Sequence, residues 1–242
     1  MAFAQAVNGG DTFAGKTVRL TQDIDLEGKT WTPIGNVIAY PSITFAGTFD
    51  GCGKTIFNMT VRDETQDDAT SGFFGSITGT VRNLNFVNAK VTSTHYAGVV
   101  VGYSSANGCR IENCTVSDSK VTTVPELIGG SYDNGDKAGG IVGYCVTGDV
   151  VTGCTVKNTT IKGYRDIGGI CGSAGSKDVL TGNTVGEKVT LVQDSTNGYK
   201  EGEITTVGDI AGRIVDENNA PYDSTDGKNT GTADVKVIPA QP

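Results

Sequence analysis

The chain has 242 residues, with 19 Lys+Arg against 27 Asp+Glu, for a formal net charge of −8 and a pI near 4.6. That balance excludes nucleic acid and anionic membrane as general partners, because both require a cationic face. No apolar run reaches the roughly 18 residues needed to span a bilayer, and 35 glycines with only 19% charged residues point to a turn-rich β protein.

Residues 2–8 have helix-forming composition, with Phe3 and Val7 one turn apart and a stop signal at Asn8-Gly9-Gly10. The N-terminus shows neither the basic nor the apolar region of a signal peptide, and the chain is expected to be part of a longer protein. Val18–Leu20 and Ile24–Leu26 read as the first strands, and Trp31 as a packing residue of an N-terminal cap. Gly53-Lys54-Thr55 lacks the earlier glycine of a phosphate loop, since position 48 is Thr. Phe49-Asp-Gly-Cys-Gly53 is a tight turn.

From here one phrase recurs. Ala97-Gly-Val-Val-Val-Gly102 is followed by Arg110-Ile-Glu-Asn-Cys-Thr-Val116, and Ala138-Gly-Gly-Ile-Val-Gly143 by Val150-Val-Thr-Gly-Cys-Thr-Val156. Ile167-Gly-Gly-Ile-Cys-Gly172 precedes Val179-Leu-Thr-Gly-Asn-Thr-Val185, and worn copies lie at 71–86 and 207–212. A period of roughly 25–40 residues signals a solenoid. Apolar residues alternate within each unit, and aligned copies form columns: Ile56, Val81, Ile111, Val151, Leu180; Met59, Leu84, Cys114, Cys154, Asn183; and Val61, Phe86, Val116, Val156, Val185. An outward polar column holds Thr60, Asn85, Thr115, Thr155 and Thr184. A bend column holds Asn58, Asn83, Asn113, Gly153 and Gly182, residue types that tolerate a left-handed backbone. Stacking at about 4.8 Å then gives an all-β, parallel β-helix. It is read as one domain over 1–242, with a cap and first strands in 1–44, repeat coils in 45–212, and a closing coil and linker start in 213–242.

Six cysteines invite a disulfide framework. Cys114 and Cys154, however, share an inward column whose spacing exceeds the disulfide Cβ separation of about 3.5–4.5 Å. They are expected to be buried thiols. Cys171 takes the place of Val101 and Val142, and a Cys109–Cys145 bridge stays open. One His and no Cys-x-x-Cys leave no zinc site, and no metal or other cofactor is expected. His95 is expected at an exposed loop end.

Three stretches interrupt the repeat: Arg62–Thr70, Thr123–Lys137 and Val192–Thr206. Each follows a strand pair and precedes the next Gly element, so all three should leave one edge of the coil. They carry Asp67, Asp68, Tyr132, Asp133, Asp136, Tyr199 and Glu201, and insertions on one face are where solenoids bind. After Gly212 the repeat fades. Residues 223–229 lack the spacing of a calcium loop, and Val235–Ile238 suits a closing strand.

The Gly-Gly-Ile-Val-Gly element with its Asn-Cys-Thr-Val partner resembles the GLUG repeat of bacterial surface proteins. The lead-in at Phe13–Leu26, Trp31–Gly35 and Phe45–Ile56 resembles the segment that precedes such repeats. The resemblance implies a secreted or cell-surface module. Some immunoglobulin A metallopeptidases carry the repeat, but their His-Glu-x-x-His is absent here. The expected function is non-enzymatic: an adhesin-like binding or spacer domain, monomeric within a longer chain, meeting a host protein or glycan through the loop edge. The alternative is a carbohydrate-active enzyme, since β-helices also house polysaccharide hydrolases and lyases. Such enzymes need carboxylates at defined separation, and the outward columns hold none.

Overall fold

The computed structural model describes residues 2–36, 42–64, 69–105, 108–124, 126–128, 131–133, 137–175, 177–194, 206–215 and 229–239. Of residues 126–128, 131–133 and 214–215 only the backbone is described.

The chain winds as a parallel β-helix with five sheets per coil, plus one two-stranded hairpin. In the third coil the strands are Thr80–Arg82, Asn85–Val87, Lys90–Ser93, Tyr96–Gly98 and Val101–Ser104, one for each sheet in order. The coils through Ala211–Val215 repeat this order, the closing residues add strands Thr230–Gly231 and Asp234–Ile238 to the second and third sheets, and strands of successive coils pair in parallel register. The first sheet has six strands, the second seven, the third six, and the fourth and fifth five each.

Inward side chains form ladders along the axis. In the first sheet Phe49, Val81, Ile111, Val151 and Leu180 stack. The second stacks Ile24, Ile56, Phe86, Val116, Val156 and Val185. In the third the ladder is Val61, Val91, Val121, Ile161, Leu191 and Val235. Ladder residues from Phe49 to Leu191 are buried, and each such side chain contributes roughly 1.5–3 kcal/mol by leaving water.

This register corrects the alignment of the earliest unit. Ile56 stacks on Phe86 and not Val81, Val61 on Val91 and not Phe86, and Thr60 on Lys90 and not Asn85. Met59 follows the same shift, one residue before Thr60, and Thr55 takes the outward position opposite Asn85. The cause is that each coil has two corners with one grammar. Asn83, Asn113, Gly153 and Gly182 take positive φ between the first and second strands, while Asn58, Asn88, Asp118 and Asn158 do so between the second and third. Asn58 therefore belongs to the second corner, where Asn88 Nδ2 donates to its Oδ1 at 2.7 Å.

The N-terminal end is closed as expected. Helix α1 (Ala2–Asn8) buries Ala4 and Val7. Phe3 packs its ring against Phe13, Phe45 and Phe49 at 5.1, 5.5 and 5.5 Å. Asn8 ties the helix end to the first coil, donating to Pro33 O at 3.1 Å and accepting from Gly35 N at 2.8 Å. Trp31 is buried, stacked on Phe73 at 4.9 Å, with its indole N–H on Phe73 O at 2.9 Å. It is a packing residue.

Candidate functional site

The fourth and fifth strands of a coil, Tyr96–Gly98 and Val101–Ser104 in the third, are joined by a two-residue turn. Val99, Val100 and Val101 are fully buried, so this turn points into the core rather than along its wall. It reaches the opposite side: a Cβ on Gly140 would lie 2.8 Å from Val156 Cγ2. Sheets four and five therefore form a re-entrant arch whose two limbs touch through backbone. A Cβ on Gly98 would stand 2.3 Å from Val101 O, one on Gly139 2.0 Å from Val142 O, and one on Gly168 2.0 Å from Cys171 O. On Gly102 it would meet Ser71 N at 2.6 Å. The recurring Gly-x-x-x-Gly phrase is thus a steric requirement of the arch and not a ligand loop.

The arch brings outward residues of its two limbs together at its mouth. Tyr96 of the fourth sheet stacks on Tyr103 of the fifth at 5.4 Å and lies 5.2 Å from Tyr144 of the next coil, with Tyr103 and Tyr144 at 5.7 Å. Lys137 Nζ sits over the Tyr96 and Tyr144 rings at 4.9 and 5.1 Å, a cation–π geometry that ties the two coils together. Burial raises the hydroxyl pKa of Tyr103 and of Tyr144. His95, expected to be exposed, is only 8% exposed and packs 3.8 Å from the Tyr96 ring. The sequence carried these residues in plain view, but only the arch shows that positions seven apart meet.

The three insertions do leave one edge. They join the third strand to the fourth in different coils: Thr60–Asp63 to Thr70–Ser71, Lys120–Thr123 to Lys137–Gly139, and Thr190–Asp194 to Thr206–Gly208. The second carries an antiparallel hairpin, Glu126–Ile128 with Ser131–Asp133, which places the backbone of Tyr132 and Asp133. Asp67, Asp68, Asp136, Tyr199 and Glu201 lie outside the described residues, as do 223–228. Acidic residues at the feet of the loops are held within the chain: Glu64 accepts from Arg62 at 2.7 and 2.9 Å, and Asp194 pairs with Lys162. The tyrosine cluster lies at the foot of the same edge, since Tyr96 and Lys137 open fourth strands.

Among the described residues one group could hold a cation: Cys145, Asp149 and Asp178, with donor atoms within 4.8 Å of one another. Its carboxylates already serve the backbone. Asp149 Oδ1 accepts from Cys109 N at 2.9 Å, and its Oδ2 from Val146 N at 3.2 Å and from the Ser104 hydroxyl. Asp178 accepts from Asp149 N at 2.8 Å and Gly175 N at 2.6 Å. Three donors are also one fewer than a structural zinc takes. These acids cap the corner before the first strand in two successive coils, ahead of Val150 and of Val179. Burial pushes Asp149 above the usual carboxylate range, and burial with the neighbouring Asp149 charge pushes Asp178 up to about 6.

The six cysteines are free. Cys114 and Cys154 are fully buried in their shared column, where the hydrogen bond between them and then burial hold the Cys114 thiol well above its usual range. Cys145 lies 3.9 Å from Cys171 Sγ, and Cys109 Sγ faces Ile77 O at 3.5 Å, so Cys109 and Cys145 form no bridge.

With the arch and its glycines described, the likenesses to known proteins fall into place. Residues 93–122, one arch and the strands that follow it, match the family described as the GLUG motif. The chain carries a GLUG motif. Halomucin from Haloquadratum walsbyi also resembles this GLUG-bearing chain, at 29% identity over 163 residues, 63% of the chain. The chain spans about 2% of that relative's length. A solved structure from Bacteroides ovatus, described as a candidate immunoglobulin A1 protease, superposes at TM-score 0.50 and 19% identity over 98% of this chain and 81% of that one. At that identity the likeness shows the fold alone.

Proposed function

We propose that the chain is a non-enzymatic β-helical module of a secreted or cell-surface protein, an adhesin-like domain that meets its ligand through the edge between the third and fourth sheets. The observation that carries this reading is that all three insertions leave that one junction, although packing of the coil does not require their length. Solenoids bind where per-repeat insertions gather. The likeness to halomucin, of which the chain matches a small part, supports a modular role. The acidic loops favour a basic or neutral surface on a host protein or glycan. The tyrosine cluster under Lys137 supplies a firm floor beside the second insertion. The carboxylates Asp149 and Asp178 cap backbone rather than face a substrate, which argues against polysaccharide cleavage at that corner.

The test is a glycan and host-protein array run with the wild type and with a variant whose 123–137 stretch is shortened to the length of neighbouring coils. Binding lost on shortening supports the reading. Binding that survives shortening of all three loops places the site elsewhere, and release of reducing ends or unsaturated sugars makes the protein an enzyme.

A further inference from the structure

The third sheet is unfinished at the C-terminal end. Its last strand, Asp234–Ile238, pairs in parallel with Thr190–Asp194 and has no neighbour on its other side among the described residues. Val235 continues the inward ladder after Leu191, and Val237 follows the inward position of Gln193. Where Leu191 is fully buried, Val235 is 52% exposed, Val237 61% and Ile238 39%. A free strand edge beside open apolar side chains is a template for another strand.

We propose that this edge joins two copies of the chain tail to tail, through antiparallel pairing of the closing strand with its twin about a twofold axis. Three observations select this occupant. The opposite end of the β-helix is covered by helix α1, with Phe3, Ala4 and Val7 packed on the first coil, so head-to-tail stacking is obstructed. The hydrogen-bond phase then limits the register. Asp234 N donates inward to Val189 O at 2.8 Å, so alternation turns the peptide groups of Val235 and Val237 outward. Only registers that place Val235 or Val237 opposite one another, or opposite Ala233, satisfy them. Among these, Val235 opposite the partner's Val235 sets Asp234 against the partner's Lys236 and Lys236 against the partner's Asp234. It also sets Val237 against the partner's Ala233. Shifting by one step instead puts Lys236 against the partner's Lys236, a like-charge pair that opposes association. Asp234 and Lys236 form no ion pair with described residues of their own chain. A C2 contact of this kind is self-complementary and closes on itself.

Sedimentation velocity of the full chain from about 1 to about 500 μM tests this, the range suiting a contact smaller than a standard interface. A monomer–dimer equilibrium is expected. Asp234→Lys alone and Lys236→Asp alone should each weaken it at least tenfold, and the double exchange should restore it. Val235→Lys should abolish it. Circular dichroism melts confirm that each variant keeps its fold. A monomer across the whole range would overturn the proposal and leave the edge to some other cover. A dimer indifferent to either single exchange would overturn it equally.

Discussion

Along the first three sheets neighbouring coils meet through side chains: Val91, Val121 and Ile161 stack as fully packed rungs. Across the fourth and fifth they meet through backbone, with a Cβ on Gly139 placed 2.0 Å from Val142 O and 2.7 Å from Gly172 N. The first region tolerates exchange among similar apolar residues, because volume-conserving swaps in a core cost little. At its glycines the second tolerates none, because a peptide group cannot move aside as a side chain can. Repetition of the Gly phrase beside variable ladder residues is the trace of that difference.

Substitution at the arch should therefore have the largest effect. Gly139→Val is expected to cost more than about 4 kcal/mol, enough to abolish folding of a domain of ordinary stability. Gly53→Ala is the control. Its Cβ meets nothing within 4 Å at φ 74°, and only the left-handed backbone opposes it, at about 1 kcal/mol. Urea titration followed by far-UV circular dichroism measures both, and equal midpoints would break the contrast.

A ladder position should come next. Cys154→Asp introduces an unpaired charge at a site with no exposure and is expected to destabilise by several kcal/mol. In the native protein a thiol reagent should label the exposed Cys52 quickly and Cys114 and Cys154 only after denaturation. Rapid native labelling of Cys154 would mean a register slipped by one residue.

The capping acids predict a smaller, pH-dependent effect. Asp149 and Asp178 have folded pKa values above their unfolded ones, Asp178 at about 6. Between about pH 4 and 6 the folded state then binds more protons than the unfolded, so stability falls as pH rises through this window. Asp50 has the opposite shift, lowered first by the Asn83 hydrogen bond, so its contribution is present above about pH 4 and lost below it. Melting temperature should peak on the acid side of neutrality, and Asp178→Asn should flatten the slope from pH 5 to 7. A melting temperature that climbs from pH 5 to 7 would contradict the burial of these two carboxyls. The smallest effect is expected on the outer wall, where Thr155→Val should shift stability by no more than about 0.5 kcal/mol.

The sequence alone determined the solenoid, because apolar alternation at a fixed period leaves few other ways to bury a face. It also determined the helix over the first coil, the buried roles of Trp31, Cys114 and Cys154, and the single edge from which the insertions leave. Tertiary structure decided which side each strand belongs to. Corners at Asn83 and at Asn88 share an apolar residue two before the Asn and another just after it, so local sequence does not tell the corner at Asn58 from either, and pairing decides by setting Ile56 on Phe86. It also decided that the Gly phrase turns inward. Nothing local in Gly-Val-Val-Val-Gly says whether its valines face a wall or a core, whereas the limbs' close approach leaves the turn only the interior. The meeting of Tyr96, Tyr103 and Tyr144, the burial of His95, and the open rung at Val235 follow from that long-range packing, which no window of the sequence contains.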